Sequence, residues 1–120
     1  VHSMPSEAAP QRGRSPDIVL GDRFGTSAGG PIVAATESLF ARAGLQVARN
    51  VPFAGAYIAQ RYGRPMEGVH VVQIEIARSL YLDEDRVEPG PDFAAFVDLM
   101  TELTGALADL IRPQERLAAE

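Results

Sequence analysis

Hydrophobic positions along the chain alternate between short continuous runs, typical of buried strands, and runs spaced three or four residues apart, typical of amphipathic helices. A first short run covers 17–21. A helical stripe then extends from Pro31 to near Ala43, where Gly44 is the expected stop, and a second strand covers 46–49. Strand, helix and strand within about thirty residues predict a βαβ unit with a right-handed crossover.

The second half of the chain carries its most strand-like segment and its longest helical pattern. Valine and isoleucine dominate 69–76, which favours a central strand buried on both faces. From 92 to 112 apolar residues recur at helical spacing, with Asp92 as the expected N-cap and Pro113 as the stop. This pattern predicts an amphipathic C-terminal helix.

Together these elements predict an α/β fold with a mainly parallel or mixed sheet flanked by helices, in a single domain. The predicted organisation is a loop over 1–16, a β/α core over 17–82 with a long loop at 50–68, a C-terminal helix over 92–112 and a tail over 113–120. Loops of that length in a compact domain are usually functional or disordered, and the aromatic residues of this one argue against disorder. A helical turn is predicted within it at 57–62.

The N-terminal sequence is Val1-His2-Ser3-Met4-Pro5, without an initiator methionine and without the basic and apolar regions of a signal peptide. We interpret an apolar residue followed by His-Ser and a proline-containing turn as the end of a buried strand whose earlier residues are missing. The sequence is therefore expected to be part of a longer chain.

Composition narrows the possible partners. The chain has 120 residues, eleven basic residues against sixteen acidic ones, and a net charge of −5. This balance argues against binding to nucleic acid or to an anionic membrane, and no apolar run is long enough to cross a bilayer. The chain has no cysteine, which excludes disulfides and thiolate metal sites and is compatible with the cytoplasm, the expected compartment.

Polar residues inside the predicted strand 69–76 are the first candidates for chemistry. His70, Gln73 and Glu75 need partners there, because an unpaired buried carboxylate is costly. Burial disfavours an ionised carboxylate unless a metal, an arginine or hydrogen-bond donors compensate, and such an environment suits a general base. The alternative is that Glu75 faces outward or forms a structural ion pair with Arg78. Both interpretations remain open at this point.

His2, at the predicted strand end, is the second candidate. Neutral imidazole is a common zinc ligand, and open α/β folds place their ligands at the carboxyl ends of strands. The chain has only one other histidine and no cysteine, so a complete zinc site within it would require carboxylates. A hydrogen-bonded loop histidine is the alternative.

The segment 49–65 is the third candidate, because it combines arginines with glycines. Arginine binds carboxylates bidentately and glycine lets the backbone approach a small ligand closely, so the segment is typical of a pocket for an anionic small molecule. The alternative is that these arginines are exposed to solvent. The turn at 22–30 also has backbone N–H groups to offer an anion, but no nucleotide-binding motif is present.

Several separated motifs occur in an order that is similar to one known family. They are His2-Ser3-Met4-Pro5, 17–25, Asn50-x-Pro-Phe-x-Gly-x-Tyr-Ile, Arg61-Tyr-Gly-Arg-Pro and His70-x-x-Gln-Ile-Glu. Together they resemble the N-formylglutamate amidohydrolase (deformylase) family, through essentially the whole chain up to Leu82. The C-terminal helix fits the same family by its pattern.

The resemblance implies a metal-dependent hydrolase with a fold similar to the zinc carboxypeptidase and aspartoacylase group. It implies zinc as cofactor with His2 as one ligand, and Glu75 as the residue that activates a metal-bound water. The substrate would be a small N-acyl amino acid, with Arg61 as the first choice for binding its carboxylates. The other implied substrate-binding residues are Asn50 and Tyr57, as hydrogen-bond partners of the amide or oxyanion, and Arg49, Arg64, Arg78 and His70.

The implied reaction is hydrolysis of N-formyl-L-glutamate to formate and glutamate, a step of histidine degradation. Ala28 stands where the family often has cysteine, and Ala56 where it usually has a second glycine, so another N-acyl amino acid is an alternative substrate. Family members are longer, and this chain resembles their C-terminal part, which leaves the other metal ligands outside it. A second alternative is a non-catalytic lobe, inactive alone, that needs an N-terminal complement or forms a homo-oligomer.

Overall fold

The computed structural model describes residues 1–8 and 15–112. Its strands are β1 His2–Met4, β2 Ile18–Gly21, β3 Val47–Arg49, β4 Gln73–Ala77, β5 Leu82–Asp83 and β6 Glu88–Pro89. Its α-helices are α1 Gly30–Arg42, α2 Tyr57–Tyr62 and α3 Phe93–Leu110. Short 3-10 turns cover Ser6–Ala8, Pro65–Glu67 and Arg78–Leu80.

The main sheet is mixed, as predicted, with the strand order β1-β4-β2-β3. Strands β2 and β3 are parallel neighbours joined through α1, which confirms the predicted strand-helix-strand unit. Strand β4 runs antiparallel to β2 and parallel to β1. As a result, the first residues of β1 and β4 lie at the same edge of the sheet as the carboxyl ends of β2 and β3.

The two faces of this sheet have different coverings, because side chains alternate along each strand. One face packs against α1 and α3 through a buried cluster formed by Ile18, Leu20, Phe40, Ile74, Ile76 and Leu103. The opposite face has a smaller cluster formed by Met4, Val19 and Ala77, with Phe53 packed against it. Glu75 pairs in register with both Val19 and His2, which places these three residues on that second face.

Strand β4 is central in the sheet, as predicted, but it begins at Gln73 instead of Val69. The residues before it bond elsewhere: Val69 exchanges backbone hydrogen bonds with Arg64, and Val71 exchanges hydrogen bonds with Ser27. Val69 is 46% exposed. The valines at this end therefore close a loop, and β-propensity alone overestimated the length of the strand.

A strand at His2–Met4 replaces the first part of the loop predicted over 1–16, and it agrees with the interpretation of the N-terminal residues as part of a strand. His2–Met4 forms β1 because its backbone pairs in parallel with β4, in the register His2 to Glu75. His2 consequently lies within a strand of the sheet, opposite Glu75. A 3-10 turn follows at Ser6–Ala8, and residues 9–14 lie outside the described part.

The helices follow the predicted pattern closely. Helix α1 has Pro31 in its first turn and ends at Arg42, and α3 begins directly after Asp92. The Asp92 side chain forms no capping hydrogen bond. The expected stop at Pro113 and the tail over 113–120 lie outside the described residues. Among the helices that the structure describes, none has the length and apolar character that crossing a bilayer requires.

Glycine allows the loop after β3 to cross the sheet at close range. A Cβ atom at Gly21 would lie 2.6 Å from the carbonyl carbon of Ala54 and 2.7 Å from the nitrogen of Gly55. Any larger residue at the end of β2 would therefore push this loop away. The same loop leads into α2, so Gly21 helps to set the position of that helix.

Candidate active site

Glu75 lies on β4 with only 5% of its surface exposed. Its Oε1 accepts a hydrogen bond of 2.7 Å from the Gln73 amide, which supplies the donor that a buried carboxylate needs. Arg78 instead donates from Nε to the Ser3 hydroxyl, at 3.2 Å. Glu75 is thus buried and bound by a neutral amide. It neither faces outward nor forms the ion pair with Arg78 that the sequence left open.

Gln73 connects this carboxylate to the loop before α2. Its Oε1 accepts a hydrogen bond of 3.1 Å from the backbone N–H of Ala56. The need of Gln73 for a partner is visible in the sequence, but its place in the site is not. The available signal was the spacing, since residues two apart on a strand share a face and Gln73 and Glu75 are such a pair.

His2 faces Glu75 from the adjacent strand. Its Nδ1 lies 3.6 Å from Glu75 Oε1, which is too long for a direct hydrogen bond. The imidazole is about half exposed, and the two groups remain available to a third partner that contacts both. His2 and Gln73 also line a cavity of about 80 Å³ whose other walls are mainly apolar, formed by Val1, Ile58, Ala59, Val71 and Val72.

A zinc ion would find an incomplete ligand set among the described residues. Catalytic zinc sites typically use three protein ligands. Within 1–8 and 15–112, no group of three or more histidine, cysteine, aspartate or glutamate side chains is arranged to hold a metal. The described residues therefore offer His2 as a single ligand beside Glu75, and do not by themselves fit a complete site.

Tyr57 and Arg61 come together on α2, one turn apart, and line a cavity of about 450 Å³ with Gln60. The Arg61 guanidinium also lies 5.5 Å from the centre of the Tyr62 ring. Both Tyr57 and Arg61 are exposed. In the part of the chain that the structure describes, Arg61 has no carboxylate partner within ion-pair distance, so its charge can be offered to an external anion.

The other candidate arginines have partners within the chain. Arg49 donates from Nε to Glu37 at 2.8 Å, and Arg64 lies 3.7 Å from Glu67. Arg78 bonds to Ser3, as described above. These contacts are exposed and contribute little to stability, but they distinguish the three side chains from Arg61.

Asn50 is fully engaged in holding the turn after β2. Its Oδ1 accepts the backbone N–H groups of Asp22 at 3.1 Å and Phe24 at 3.3 Å, and its Nδ2 donates to the Asp22 carboxylate at 2.7 Å. Asn50, Arg23 and Phe24 all have positive φ angles, of 61°, 52° and 54°. Left-handed backbone is costly for arginine and phenylalanine and persists only where the surroundings enforce it, whereas asparagine tolerates it. Asn50 enforces it here.

His70 caps the start of α1. Its Nδ1 accepts the backbone N–H of Gly29 at 3.0 Å, and a Cβ atom at Gly29 would lie 3.2 Å from the imidazole. The N–H of Ser27 is likewise bound by the carbonyl of Asp22. These N–H groups of the turn at 22–30, which the sequence offered to an anion, are therefore bound within the protein.

Comparison with known proteins identifies relatives of one kind. The family model for N-formylglutamate amidohydrolase matches residues 1–82. An N-formylglutamate deformylase of Pseudomonas aeruginosa is 34% identical over 100 residues, which is 82% of this chain and 36% of that protein. One from Pseudomonas putida is 34% identical over 73 residues, or 60% of this chain and 27% of that protein.

A solved structure agrees with the sequence relatives. The crystal structure of N-formylglutamate amidohydrolase from Ralstonia eutropha JMP134 superposes with a TM-score of 0.85 and 37% identity, over 92% of this chain and 41% of that one. The chain thus spans well under half the length of these relatives. On the family match, the sequence identity and the common fold, it belongs to the N-formylglutamate amidohydrolase family.

Proposed function

We propose that the protein containing this chain hydrolyses the formyl amide of N-formyl-L-glutamate, giving formate and glutamate. The observation that carries the proposal is the buried Glu75 carboxylate, hydrogen-bonded by Gln73 and facing His2 at one edge of the sheet. A carboxylate held dry and oriented beside a second polar group is the arrangement that general base catalysis requires. Family membership supports the choice of reaction.

In this mechanism Glu75 accepts a proton from the attacking water. The water oxygen bonds to the formyl carbon, the bond between that carbon and the nitrogen breaks, and Glu75 returns the proton to the leaving amine. Atoms and charge balance, because the proton removed from water is the one that the amine receives. The low exposure of Glu75 supports this role, since bulk water would otherwise compete for the carboxylate.

Substrate carboxylates are assigned to Arg61, with Tyr57 beside it. Arg61 has no carboxylate partner in the described part of the chain, and both residues line one cavity. A guanidinium binds a carboxylate in two parallel hydrogen bonds, which fixes the position of the substrate as well as its charge. Arg49, Arg64 and Arg78 remain weaker candidates, because side chains of this chain already contact them.

The proposal includes zinc, with His2 as one ligand and the others outside the described residues. A bound zinc ion would polarise the formyl carbonyl and lower the pKa of water. The similarity of the fold to zinc carboxypeptidases and aspartoacylases belongs to the same proposal. It is supported by a mixed sheet that presents a histidine and a glutamate on adjacent strands.

A non-catalytic lobe that needs a complement is the second candidate, favoured by the incomplete ligand set among the described residues. Among the described strands, β1 has a neighbour on one side only, β4. Next to it lies a mainly apolar groove of about 540 Å³, whose walls include Phe93, Val97 and Met100 of α3. An edge strand beside an apolar groove is suited to pairing, along its outer side, with another segment or a second copy.

The test is release of the free amino acid, together with formate or acetate, by the full-length protein that contains this sequence, purified with and without added zinc. N-formyl-L-glutamate is compared with N-acetyl-L-glutamate and N-formyl-L-leucine, which change the acyl group and the side chain separately. Zinc-dependent release from the first substrate alone supports the proposal. Release from the acetyl compound instead favours another N-acyl amino acid, and no release from any of them rejects the hydrolase assignment.

A further inference from the structure

We propose that Gln73 is a positioning residue that ties the start of α2 to the general base, so that one side chain orients both the substrate-binding helix and the Glu75 carboxylate. This inference rests on the proposed role of Glu75. Its basis is a continuous chain of hydrogen bonds, from the backbone of Ala56 through the Gln73 amide to Glu75.

The hydrogen-bonding partners fix the orientation of the Gln73 amide. The Ala56 N–H can only donate, and an ionised carboxylate can only accept. Gln73 Oε1 therefore faces Ala56 at 3.1 Å, and Nε2 faces Glu75 at 2.7 Å. Rotating the amide by half a turn would set donor against donor and acceptor against acceptor. Among the common side chains, glutamine is one of the few that offer an acceptor and a donor at this reach.

The surrounding backbone brings the loop within reach of Gln73. Gln73 pairs in register with Gly21 on β2, and the absence of a side chain there lets the loop at 54–55 lie directly over that strand. Ala56 is the residue immediately before α2. A shift of this loop would therefore move Tyr57 and Arg61 of α2 together with the hydrogen bond to Gln73.

Losing the bond from Gln73 would free Glu75 to turn. Its carboxylate is buried, and His2 Nδ1 lies 3.6 Å from the same Oε1 atom. A carboxylate that turns towards His2 no longer faces the attacking water. Gln73 thus acts on the chemical step through Glu75, and on substrate position through Ala56.

Two substitutions separate these two connections. Gln73→Glu keeps an acceptor for the Ala56 N–H but replaces the donor to Glu75 with a second carboxylate, which repels Glu75 or shares a proton with it. Gln73→Met keeps the length of the side chain and removes both hydrogen bonds. Losing a partner that orients an active-site group typically costs about 10- to 100-fold in activity. We expect Gln73→Glu to lower kcat by that amount with KM nearly unchanged, and Gln73→Met to lower kcat and raise KM.

A double mutant distinguishes positioning from a general structural effect. In a Glu75→Gln background the base is absent, so Gln73→Met should change the residual kcat by less than about twofold while still raising KM. An equal fractional loss in both backgrounds would show that Gln73 does not act through Glu75. Gln46→Glu is the matched control, because Gln46 is exposed and lies at the opposite end of the sheet. It should leave both kinetic constants unchanged.

A measurement that needs no substrate tests the role of Gln73 independently of the proposed reaction. Amide hydrogen exchange at Ala56 should be slow in the wild type and in Gln73→Glu, and fast in Gln73→Met, with equal zinc content in all three. Equal exchange rates in the three proteins would overturn the connection to α2. If the wild type releases no formate, the proposed function fails while this exchange pattern still supports or refutes the structural connection.

Discussion

Asn50 provides a sharp test of how the site is built. The sequence suggests that it binds substrate, but in the structure its side chain stabilises the turn after β2. Its side chain makes three hydrogen bonds to the turn after β2, and its own backbone has a φ of 61°. Asn50→Ala removes all three bonds and places a residue with a Cβ but no polar group in left-handed backbone. Asn50→Gly removes the same bonds but tolerates that backbone.

The magnitudes follow from these contacts. The hydrogen bonds from the Asp22 and Phe24 backbones contribute about 1 kcal/mol each, and the bond to the buried Asp22 carboxylate about 2 kcal/mol. The positive φ adds about 1 kcal/mol against alanine. We expect Asn50→Ala to lower the free energy of unfolding by about 4 to 5 kcal/mol, and Asn50→Gly by about 1 kcal/mol less.

Urea unfolding of the full-length protein measures both losses as shifts of the unfolding midpoint, provided that the slope of the free energy of unfolding against urea concentration is unchanged. Without urea, the folded protein of both Asn50 variants should have nearly the wild-type KM for N-formyl-L-glutamate. An unchanged midpoint together with a large rise in KM would refute this account, since Asn50 would then contact substrate and not support the turn.

Three further predictions concern other parts of the chain. Arg61→Ala should raise KM for N-formyl-L-glutamate about 10- to 100-fold, because a charge-assisted hydrogen bond contributes about 1.5 to 3 kcal/mol. Arg86→Ala is the control, because Arg86 is an exposed arginine paired with Asp83, and it should leave KM unchanged. The side-chain and backbone hydrogen bonds from Ser6 hold the pKa of Glu84 below its usual value. Because this pKa is lower in the folded protein, ionised Glu84 stabilises the fold at pH values above the pKa of Glu84 in the unfolded chain, and this contribution is lost as the pH falls through the folded-state pKa. Ser6→Ala should therefore raise the pKa of Glu84 in an NMR titration. Gly21→Ala should destabilise the protein by about 1 to 3 kcal/mol in thermal unfolding, because its new methyl group overlaps the loop that crosses β2.

The order of the elements could be predicted from sequence, because it depends on periodicity. The hydrophobic spacing of α1 and α3 and the apolar run of β2 are local signals, and the structure confirms them. The limits of β4 depend on which backbone groups find partners. Val69 forms hydrogen bonds with Arg64, and Val71 forms them with Ser27. No local sequence pattern predicts these contacts.

In the site, too, some features follow from local sequence patterns and others from tertiary contacts. Glu75 stands out in sequence because a carboxylate interrupts an apolar strand, and its burial agrees with that expectation. The roles of Gln73 and Asn50 depend on loops that fold back over the sheet from positions 17 and 28 residues away in sequence. Such long-range hydrogen bonds are set by tertiary packing, so residue types alone suggest a need for partners without naming them.

The most direct test of the central claim is kcat for formate release from N-formyl-L-glutamate by the zinc-loaded full-length protein and its Glu75→Gln variant. Glu102→Gln, on the exposed side of α3, is the matched control. Removal of a general base predicts a fall in kcat of about 10²- to 10⁴-fold, with zinc content and the unfolding temperature retained and the control fully active. A variant that keeps wild-type turnover would contradict the assignment of Glu75 as the base.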